Sequence, residues 1–300
     1  MTSDRLLVLD GTNLLYRSYH ALAATALTHA GRPVWATHGL VLQIAKLIDY
    51  AAPSHLVVAF DTIHGCPVRR ALDPGYKATR NTPVQELAVQ LSWAPSLLRQ
   101  LGMCVLDDDA WEADDILASA VIEARRLGMP STIVTSDRDA YQLLASDVEI
   151  RTPDNRTVTT EALAAEHGVT PAGYAVLAAL RGEPSDNLPG ITGVGAKTAA
   201  KLVVAFGSFE ALELATDAEL RAILGPKTLL AFRRDLSLSQ RSFEVGRLRT
   251  DLDVDLSQAR LSSLDPDRIQ RLLASSGLTT AGERVSQSLR SAVPRPAASA

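Results

Sequence analysis

The sequence predicts an α/β fold built on a mostly parallel central sheet flanked by helices. Through about residue 150, short leucine-rich and β-branched runs alternate with longer helical patterns, which is typical of parallel strands joined by helices. The strand candidates are 5–10, 55–60, 103–106, 131–135 and 147–151. The helix candidates between them are 36–51, 84–101, 112–128 and 138–145. A second observation is that carboxylates recur at the ends of these apolar runs, where α/β proteins place their sites.

Beyond about residue 160 the strand patterns stop, and the sequence predicts an all-helical second region. Its helix candidates are 160–167, 171–181, 196–206, 208–214, 217–224 and 226–240. The stretch from about residue 281 is rich in Ser, Ala, Arg and Pro, a composition typical of a disordered tail.

Residues 62–83 interrupt the alternation of strands and helices. They contain two glycines and three prolines amid basic side chains, which only one acid opposes. The basic residues are Arg69, Arg70, Lys77 and Arg80. A long, basic and irregular segment that follows a strand favours a loop that handles substrate over a structural connection.

Length and composition bound the kind of protein. The 300 residues, 46% of them hydrophobic, suffice for one large domain or two smaller ones. A net charge of −4 does not by itself indicate nucleic-acid binding. Cys66 and Cys104 make no disulfide framework, so we expect reduced thiols and a cytoplasmic protein. Asp4 and Arg5 argue against a signal peptide, and no apolar run is long enough to cross a membrane.

The carboxylates at strand ends and helix starts form the candidate site. They are Asp10, Asp61, Glu112, Asp114, Asp115, Asp137, Asp139, Glu183 and Asp186. Taken singly, these acids could be turn residues or helix N-caps. Taken together, they come from separate segments, and so many like charges on one rim require counter-charge. The coincidence favours a divalent-metal site, and oxygen ligands indicate Mg²⁺ or Mn²⁺.

Two ions would suit so large a ligand set. Two-metal sites hold ions ~4 Å apart and stabilise both the attacking and the leaving oxygen in phosphoryl transfer. No histidine falls within the acidic motifs, which argues against zinc. A phosphatase of the haloacid-dehalogenase type is excluded, because Val8 stands where such enzymes need a nucleophilic Asp.

Six stretches, in order, resemble the motifs of the 5′ nuclease (flap endonuclease) family, which includes the N-terminal nuclease domain of bacterial DNA polymerase I. They are 9–17, 59–61, 75–80, 111–115, 135–144 and 182–198. The resemblance implies a PIN-like sheet with an arch-like insertion at about 62–95. It also implies a catalytic domain over 1–165, a helical duplex-DNA-binding domain with a helix-hairpin-helix-type motif over 166–280, and a tail over 281–300. No polymerase domain follows, so we expect a stand-alone member.

The resemblance implies a two-metal phosphodiesterase. The first metal would be held by Asp10, Asp61, Glu112 and Asp114, with Asp115 beside them. The second would be held by Asp137, Asp139 and Asp186, with Asp114 close to both. The family usually has Gly-Asp-x-Ser-Asp-Asn, and Glu183 replaces the first Asp of that motif here. Because Glu adds a methylene, we expect the second metal to sit differently or to be bridged through water.

Basic and aromatic residues of the insertion are expected to act on the substrate. Lys77 and Arg80 match the family's basic gateway above the metals, where they would act as catalytic residues by offsetting the charge of the scissile phosphate. Tyr76 matches a position where a ring stacks on an unpaired base, with a loop anchor as the alternative. Arg69 and Arg70 lie in the arch-like insertion, and either could contact phosphate.

The glycine-rich segment 187–198 lies between predicted helices. A nucleotide-binding P-loop is rejected, because Ala196 stands where that motif needs Gly and no strand precedes it. Glycines let backbone N–H groups approach a phosphate, and such contacts hold a duplex without reading its sequence. The resemblance implies the same grip, often with a bound K⁺. The residues expected to bind DNA are Arg69, Arg70, Tyr76, Gly190, Gly193, Gly195, Lys197, Thr198 and Lys201.

The leading hypothesis is a structure-selective 5′-3′ exonuclease and flap endonuclease that acts in replication and repair. We expect it to use two Mg²⁺ or Mn²⁺ ions, and K⁺ at the hairpin. Its expected substrates are DNA with 5′ flaps, nicks or overhangs and RNA primers. We also expect a cytoplasmic, nucleoid-associated monomer that works with a DNA polymerase and a ligase. The alternative is a catalytically weak homologue that binds branched DNA without cutting, for which Glu183 is the one hint. A PIN-type ribonuclease would leave residues 160–260 unexplained.

Overall fold

The structure is a computed structural model that describes residues 4–292, and its centre is a six-stranded sheet. The strands are β1 (Leu6–Asp10), β2 (Thr28–His29), β3 (Arg32–Pro33), β4 (His55–Ala59), β5 (Cys104–Leu106), β6 (Ser131–Val134), β7 (Val148–Arg151) and β8 (Thr157–Val158). The sheet has the order β5-β4-β1-β6-β7-β8, and β2 pairs with β3 in a separate hairpin. Every neighbour in the large sheet is parallel except β8, which runs antiparallel to β7.

Helices cover both faces of this sheet and continue beyond it. They are α1 (Gly11–Leu22), α2 (Trp35–Ala51), α3 (Pro67–Leu72), α4 (Gln85–Gln100), α5 (Ala113–Arg126), α6 (Thr160–His167), α7 (Pro171–Arg181), α8 (Ala196–Phe206), α9 (Phe209–Leu214), α10 (Asp217–Leu220), α11 (Pro226–Gly246), α12 (Pro266–Ser275) and α13 (Thr279–Ala292). Two short 3₁₀ turns matter for the site, at Arg138–Leu143 and Pro184–Asp186. The predicted α/β fold and the change to helices after residue 160 are both confirmed.

The hydrophobic core divides along the pleat of the central strand. Leu6 and Val8 of β1 face one side, together with α5 and the helices α6 to α11. Leu7 and Leu9 face the other side, together with α1, α2 and α4. This alternation follows from the two-residue period of a strand, and all four side chains are fully buried. The apolar run of β1 therefore builds two cores, as a central parallel strand must.

The C-terminal helices differ from the prediction of a tail from residue 281 and of a helical domain that ends at residue 280. Helix α13 spans residues expected to be disordered, and its Ala281, Val285 and Leu289 are buried at a spacing of four residues. They share a core with α2, on the face of the sheet away from α7 and α11. The last helices thus join the α/β layer instead of extending the helical region. Residues 293–300 of the expected tail lie outside the described residues.

The insertion is shorter and better ordered than the sequence suggested. Helix α4 occupies the last part of the segment expected to reach residue 95, and its Leu87, Gln90 and Ala94 are buried. The side-chain oxygen Oε1 of Gln90 accepts hydrogen bonds from the backbone N–H groups of Ala36 and Thr37, at the start of α2. The insertion therefore ends where α4 begins, and part of it forms α3. Helix α1 was not predicted, because its first residues read as a turn.

No helix of the described residues is long and apolar enough to pass through a membrane.

Candidate metal centre and nucleic-acid interface

Three neighbouring strands deliver carboxylates to one rim of the sheet. Asp10 is the last residue of β1, which lies between β4 and β6. Asp61 follows β4, and Asp137 follows β6. Because these strands are parallel, their carboxyl ends meet at the same edge. The N-terminus of α5 adds Asp114 and Glu112 to this rim, where the positive end of the helix dipole favours negative charge.

Backbone and hydroxyl donors fix the two acids of the first strands. Asp10 accepts hydrogen bonds from the Asn13 backbone N–H at 2.9 Å and from the Thr135 hydroxyl at 2.8 Å. The first bond caps α1, so Asp10 ends a strand and starts a helix at once. Asp61 accepts a hydrogen bond from the Ala113 N–H at 2.9 Å, which ties it to the start of α5. Both carboxylates are held in place by groups that do not neutralise them.

The rim carries more negative charge than its surroundings offset. Burial and the nearby carboxylate of Asp61 raise the pKa of Asp10 to about 7. Burial, together with Asp137 and Asp10, raises the pKa of Asp114 well above its usual range. The Asp114 Oδ1 atom is also buried without a hydrogen-bond partner. Buried polar atoms are normally satisfied, so an orphaned carboxylate oxygen among other acids fits a cation.

A second acidic group adjoins the first. Asp137 caps the 3₁₀ turn by accepting a hydrogen bond from the Asp139 N–H at 2.9 Å. Burial and the charges of Asp137, Glu183 and Asp186 raise the pKa of Asp139. Within residues 4–292, no three His, Cys, Asp or Glu side chains are arranged to hold one metal ion as they stand. The donor set fits hard divalent cations, and the carboxylates would close around them on binding.

Lys77 connects the two acidic groups. Its ammonium lies 2.7 Å from Glu112 Oε1 and 3.9 Å from Asp186 Oδ2. Its backbone N–H donates to the carbonyl of Asp186 at 2.9 Å, and its φ of 53° is a left-handed conformation that costs a non-glycine residue about 1 kcal/mol or more. Arg80 is exposed and donates to Asp186 Oδ1 at 2.6 Å. Both predicted catalytic cations thus lie at the rim.

Asp115 and Arg69 lie where the sequence did not place them. Asp115 is fully buried, and Arg69 is only 3% exposed. The Arg69 guanidinium contacts Asp115 at 2.5 and 2.9 Å, Glu112 at 3.0 Å and the Val245 carbonyl at 2.7 Å. The structure therefore corrects two predictions: Asp115 is an ion-pair partner instead of a metal neighbour, and Arg69 cannot reach DNA. Arg70, one residue along, is exposed.

The structure also corrects the prediction that Tyr76 binds DNA, and it brings to the rim a second tyrosine, Tyr16, that was not predicted. Tyr76 is 6% exposed and its hydroxyl donates to Glu112 Oε2 at 2.8 Å, so its ring anchors the insertion and is not free to stack on a base. Tyr16, on the first turns of α1, is partly exposed beside the rim. Burial and Asp61 raise its pKa, and Arg80 opposes them. Its place six residues after Asp10 was the sequence signal that could have identified it.

The glycine-rich segment forms a turn that leads into α8. Its Gly190 packs so tightly that a Cβ there would lie 2.3 Å from the Gly182 nitrogen. The Thr192 N–H donates to Asp235 of α11 at 3.0 Å, and Arg234 and Thr192 together hold the pKa of Asp235 far below its usual range. Gly193 has a φ of 82°, which favours glycine.

The N-terminus of α8 presents the predicted duplex-binding groups. Its N-cap, Gly195, supplies no side chain, so the first N–H groups of the helix are left uncapped. Lys197 and Lys201 are exposed one turn apart, and Thr198 is partly exposed between them. The geometry offers backbone N–H groups and positive charge on one surface, which suits phosphate.

A parallel sheet with an acidic rim, basic side chains of the insertion at that rim and an adjoining glycine-rich turn is an arrangement that suits divalent-metal chemistry on phosphate groups. Two family models match this chain: the 5′-3′ exonuclease N-terminal resolvase-like domain over residues 5–168, and the 5′-3′ exonuclease C-terminal SAM fold over residues 169–268. The chain belongs to the 5′-3′ exonuclease family.

Relatives in sequence are DNA polymerases I. The chain is 38% identical over 279 residues to DNA polymerase I of Mycobacterium tuberculosis, covering 89% of this chain and 30% of the polymerase. It is 35% identical over 269 residues to the thermostable DNA polymerase I of Thermus aquaticus, covering 90% and 31%. The chain thus spans less than a third of the length of these relatives.

Solved structures share the fold at low sequence identity. The T5 D15 protein co-crystallised with metal ions matches with a TM-score of 0.66 and 19% identity, over 95% of this chain and 99% of that one. The catalytic core of Rad2 in complex with DNA substrate matches with a TM-score of 0.56 and 15% identity, over 96% and 93%. Both matches extend over the α/β layer and the helical region together.

Proposed function

We propose that this protein is a structure-selective 5′-3′ exonuclease and flap endonuclease that hydrolyses phosphodiester bonds of DNA and RNA primers. The observation that carries the proposal is the convergence of carboxylates from separate strands and helices around Lys77. Divalent cations bound there would supply a nucleophilic water and stabilise the leaving oxygen. Two ions, Mg²⁺ or Mn²⁺, match the two acidic groups that adjoin each other at Asp137.

The residues proposed to hold the first ion are Asp10, Asp61 and Asp114, with Glu112 at their edge. Glu112 has three donors: Lys77, Arg69 and Tyr76. Although its burial opposes ionisation, Lys77 and Arg69 lower its pKa, so it is a fixed negative charge. Its main part in the site is to position Lys77. The residues proposed to hold the second ion are Asp137, Asp139 and Asp186.

Lys77 and Arg80 are proposed to receive the scissile phosphate. Both are tied to Asp186, yet Arg80 remains about half exposed, so it can turn towards an incoming strand. A cation preorganised beside the reacting phosphate lowers the barrier by stabilising charge that grows in the transition state. The partly exposed ring of Tyr16 lies on the same side and would stack on the base next to that phosphate.

The helical region is proposed to hold the duplex behind the cleavage point. The uncapped start of α8, with Lys197 and Lys201, would bind backbone phosphates without sequence preference. A bound K⁺ at the turn around Gly193 belongs to this proposal. We further propose a monomer that is nucleoid-associated in the cytoplasm and acts with a DNA polymerase and a ligase in replication and repair.

A labelled flap tests the proposal. A 5′-labelled flap duplex is incubated with Mg²⁺, Mn²⁺ or EDTA, using the wild-type protein and Asp139→Asn. We expect cutting near the junction that needs metal and is lost in the variant. The control is Asp147→Asn, which removes an acid paired with Arg125 at the surface and should cut normally. Tight binding of the flap without cutting in either metal would instead favour the DNA-binding homologue.

A further inference from the structure

An ion pair lies between the end of α7 and the glycine-rich segment 187–198. It involves Glu183, the residue that departs from the family motif. Arg181 is the last residue of α7, and its Nη2 lies 2.6 Å from Glu183 Oε2. The two side chains are only 19% and 25% exposed. An ion pair screened from water to this extent is stronger than one on an open surface.

The backbone of Glu183 is fixed by its neighbours. Its N–H donates to the Leu188 carbonyl at 2.9 Å, and its carbonyl accepts from the Leu188 N–H at 3.0 Å. Next to it, Gly182 has a φ of 84° and lies in close contact with the backbone of Gly190. The Glu183 backbone therefore cannot move to bring the carboxylate to a metal. Only rotation of the side chain could do so, and that rotation breaks the ion pair.

A small cavity lies between Glu183 and the nearest acid of the rim. Its volume is about 10 Å³, and Asp139, Glu183, Leu188, Ser242 and Gly246 are among its lining residues. That is room for about one water molecule. Asp139 faces this cavity without Arg181 as a partner. The two carboxylates thus differ: Glu183 is neutralised by a guanidinium that is only 19% exposed, and Asp139 is not. Asp186 is also paired with a guanidinium, but that of Arg80 is 53% exposed and can turn away.

We propose that Arg181 holds Glu183 out of the metal-binding set, so that Asp137, Asp139 and Asp186 alone hold the second ion. The inference rests on the proposed function, since it presumes a divalent cation at this rim. The extra methylene of Glu183 is what lets its carboxylate reach the guanidinium. Arg181 also brings a positive charge to the second acidic group. Both effects weaken binding of the second ion and raise the metal concentration that the site requires.

Metal binding without DNA tests the inference. Isothermal titration with MnCl₂ is carried out on the metal-free wild-type chain, on Arg181→Gln, on the double variant Arg181→Gln/Glu183→Gln and on Asp139→Asn. We expect the double variant, which removes both charges of the ion pair, to bind the second ion within about twofold of wild type, and Asp139→Asn to bind it at least about tenfold more weakly. Arg181→Gln should bind it more tightly, because it releases Glu183 and removes a positive charge. Thermal unfolding of each variant confirms that it is folded.

The titrations distinguish failure of the inference from failure of the proposed function. If the double variant Arg181→Gln/Glu183→Gln weakens binding as strongly as Asp139→Asn, Glu183 is a ligand and the inference is overturned, while the proposed function stands. If Asp139→Asn binds Mn²⁺ like wild type, the metal site itself is wrong and the proposed function falls with the inference. A further variant, Arg181→Lys, keeps the charge but loses the planar fork, and its affinity should lie between those of wild type and Arg181→Gln.

Discussion

Arg69 and Asp115 form a buried, bidentate salt bridge with N–O distances of 2.5 and 2.9 Å. Arg69 belongs to the insertion and Asp115 to the first turn of α5, so the pair fastens the insertion to the helix that carries the site. The other oxygen contacts of Asp115 come from the N–H groups of Glu112 and Arg249. Arg69 and Asp115, which the sequence suggested as site residues, thus stabilise the contact between the insertion and α5.

Arg69→Leu should destabilise the fold. Removing the guanidinium leaves Asp115 as a buried, unpaired charge, a change that costs about 3–5 kcal/mol of unfolding free energy. Urea unfolding followed by circular dichroism, in EDTA, measures it. Arg70→Leu is the matched control, since Arg70 is exposed on the same helix, and should change stability by no more than about 0.5 kcal/mol. Equal effects of the two substitutions would refute the assignment of Arg69 to the interior.

Substitutions of Tyr16 and Tyr76 should have different effects on substrate binding and on kcat. Tyr16→Ala removes the partly exposed ring beside the rim and should weaken flap binding about tenfold or more, since stacking on a base is worth about 1–3 kcal/mol. Tyr76→Phe removes only the hydroxyl that holds Glu112, so kcat should fall while KM hardly moves. Steady-state cleavage of a flap substrate gives both constants. A rise in KM for Tyr76→Phe that exceeds that for Tyr16→Ala would contradict this assignment.

Divalent metal should stabilise the fold more at high pH than at low pH. The pKa of Asp10 is raised to about 7 by burial and by Asp61, so its ionisation disfavours the folded state. Stability from this group is fully present below the unfolded pKa of about 4 and is lost as pH rises through about 7. Mg²⁺ should reverse that loss. Melting curves in EDTA and in MgCl₂ should therefore show a larger difference in Tm at pH 8 than at pH 5.5.

That pH dependence has an internal control. In Asp10→Asn the group no longer ionises, so the Tm in EDTA should change less between pH 5.5 and pH 8 than it does for wild type. The difference made by MgCl₂ at pH 8 should also shrink. A Tm gain from Mg²⁺ that is the same at both pH values would show that the metal binds elsewhere.

The lysines of α8 should set affinity for duplex DNA but not cleavage chemistry. Lys197→Ala and Lys201→Ala should each reduce the salt dependence of duplex binding by about one counterion. Fluorescence anisotropy over a range of KCl concentrations measures this slope. Lys46→Ala, on the exposed side of α2, is the matched control and should leave the slope unchanged. If all three variants behave alike, the duplex does not lie along α8.

Local patterns were sufficient to predict the five parallel strands, because such strands follow from runs of adjacent apolar residues, but β8 and the pair β2 and β3 were missed. Helix α13 was missed because its Ser and Ala content resembles disorder, although Ala281, Val285 and Leu289 keep a helical spacing. The burial of Arg69 could not be predicted, since it depends on a carbonyl 176 residues away, in Val245. Contacts across such separations are set by packing and leave no local signature.

The hydrogen bond from the Lys77 N–H to the Asp186 carbonyl joins the insertion to the loop that follows α7. A second bond joins the same segments, from Asn187 Nδ2 to the Gly75 carbonyl at 2.8 Å. The basic turn of the insertion is therefore shaped by a loop that lies beyond the boundary between the two family models at residues 168 and 169. A fragment cut at that boundary would keep most of its acids but lose the support that fixes Lys77. We therefore expect the resolvase-like half alone to position Lys77 poorly, so that a minimal version of this protein would extend through the glycine-rich segment 187–198.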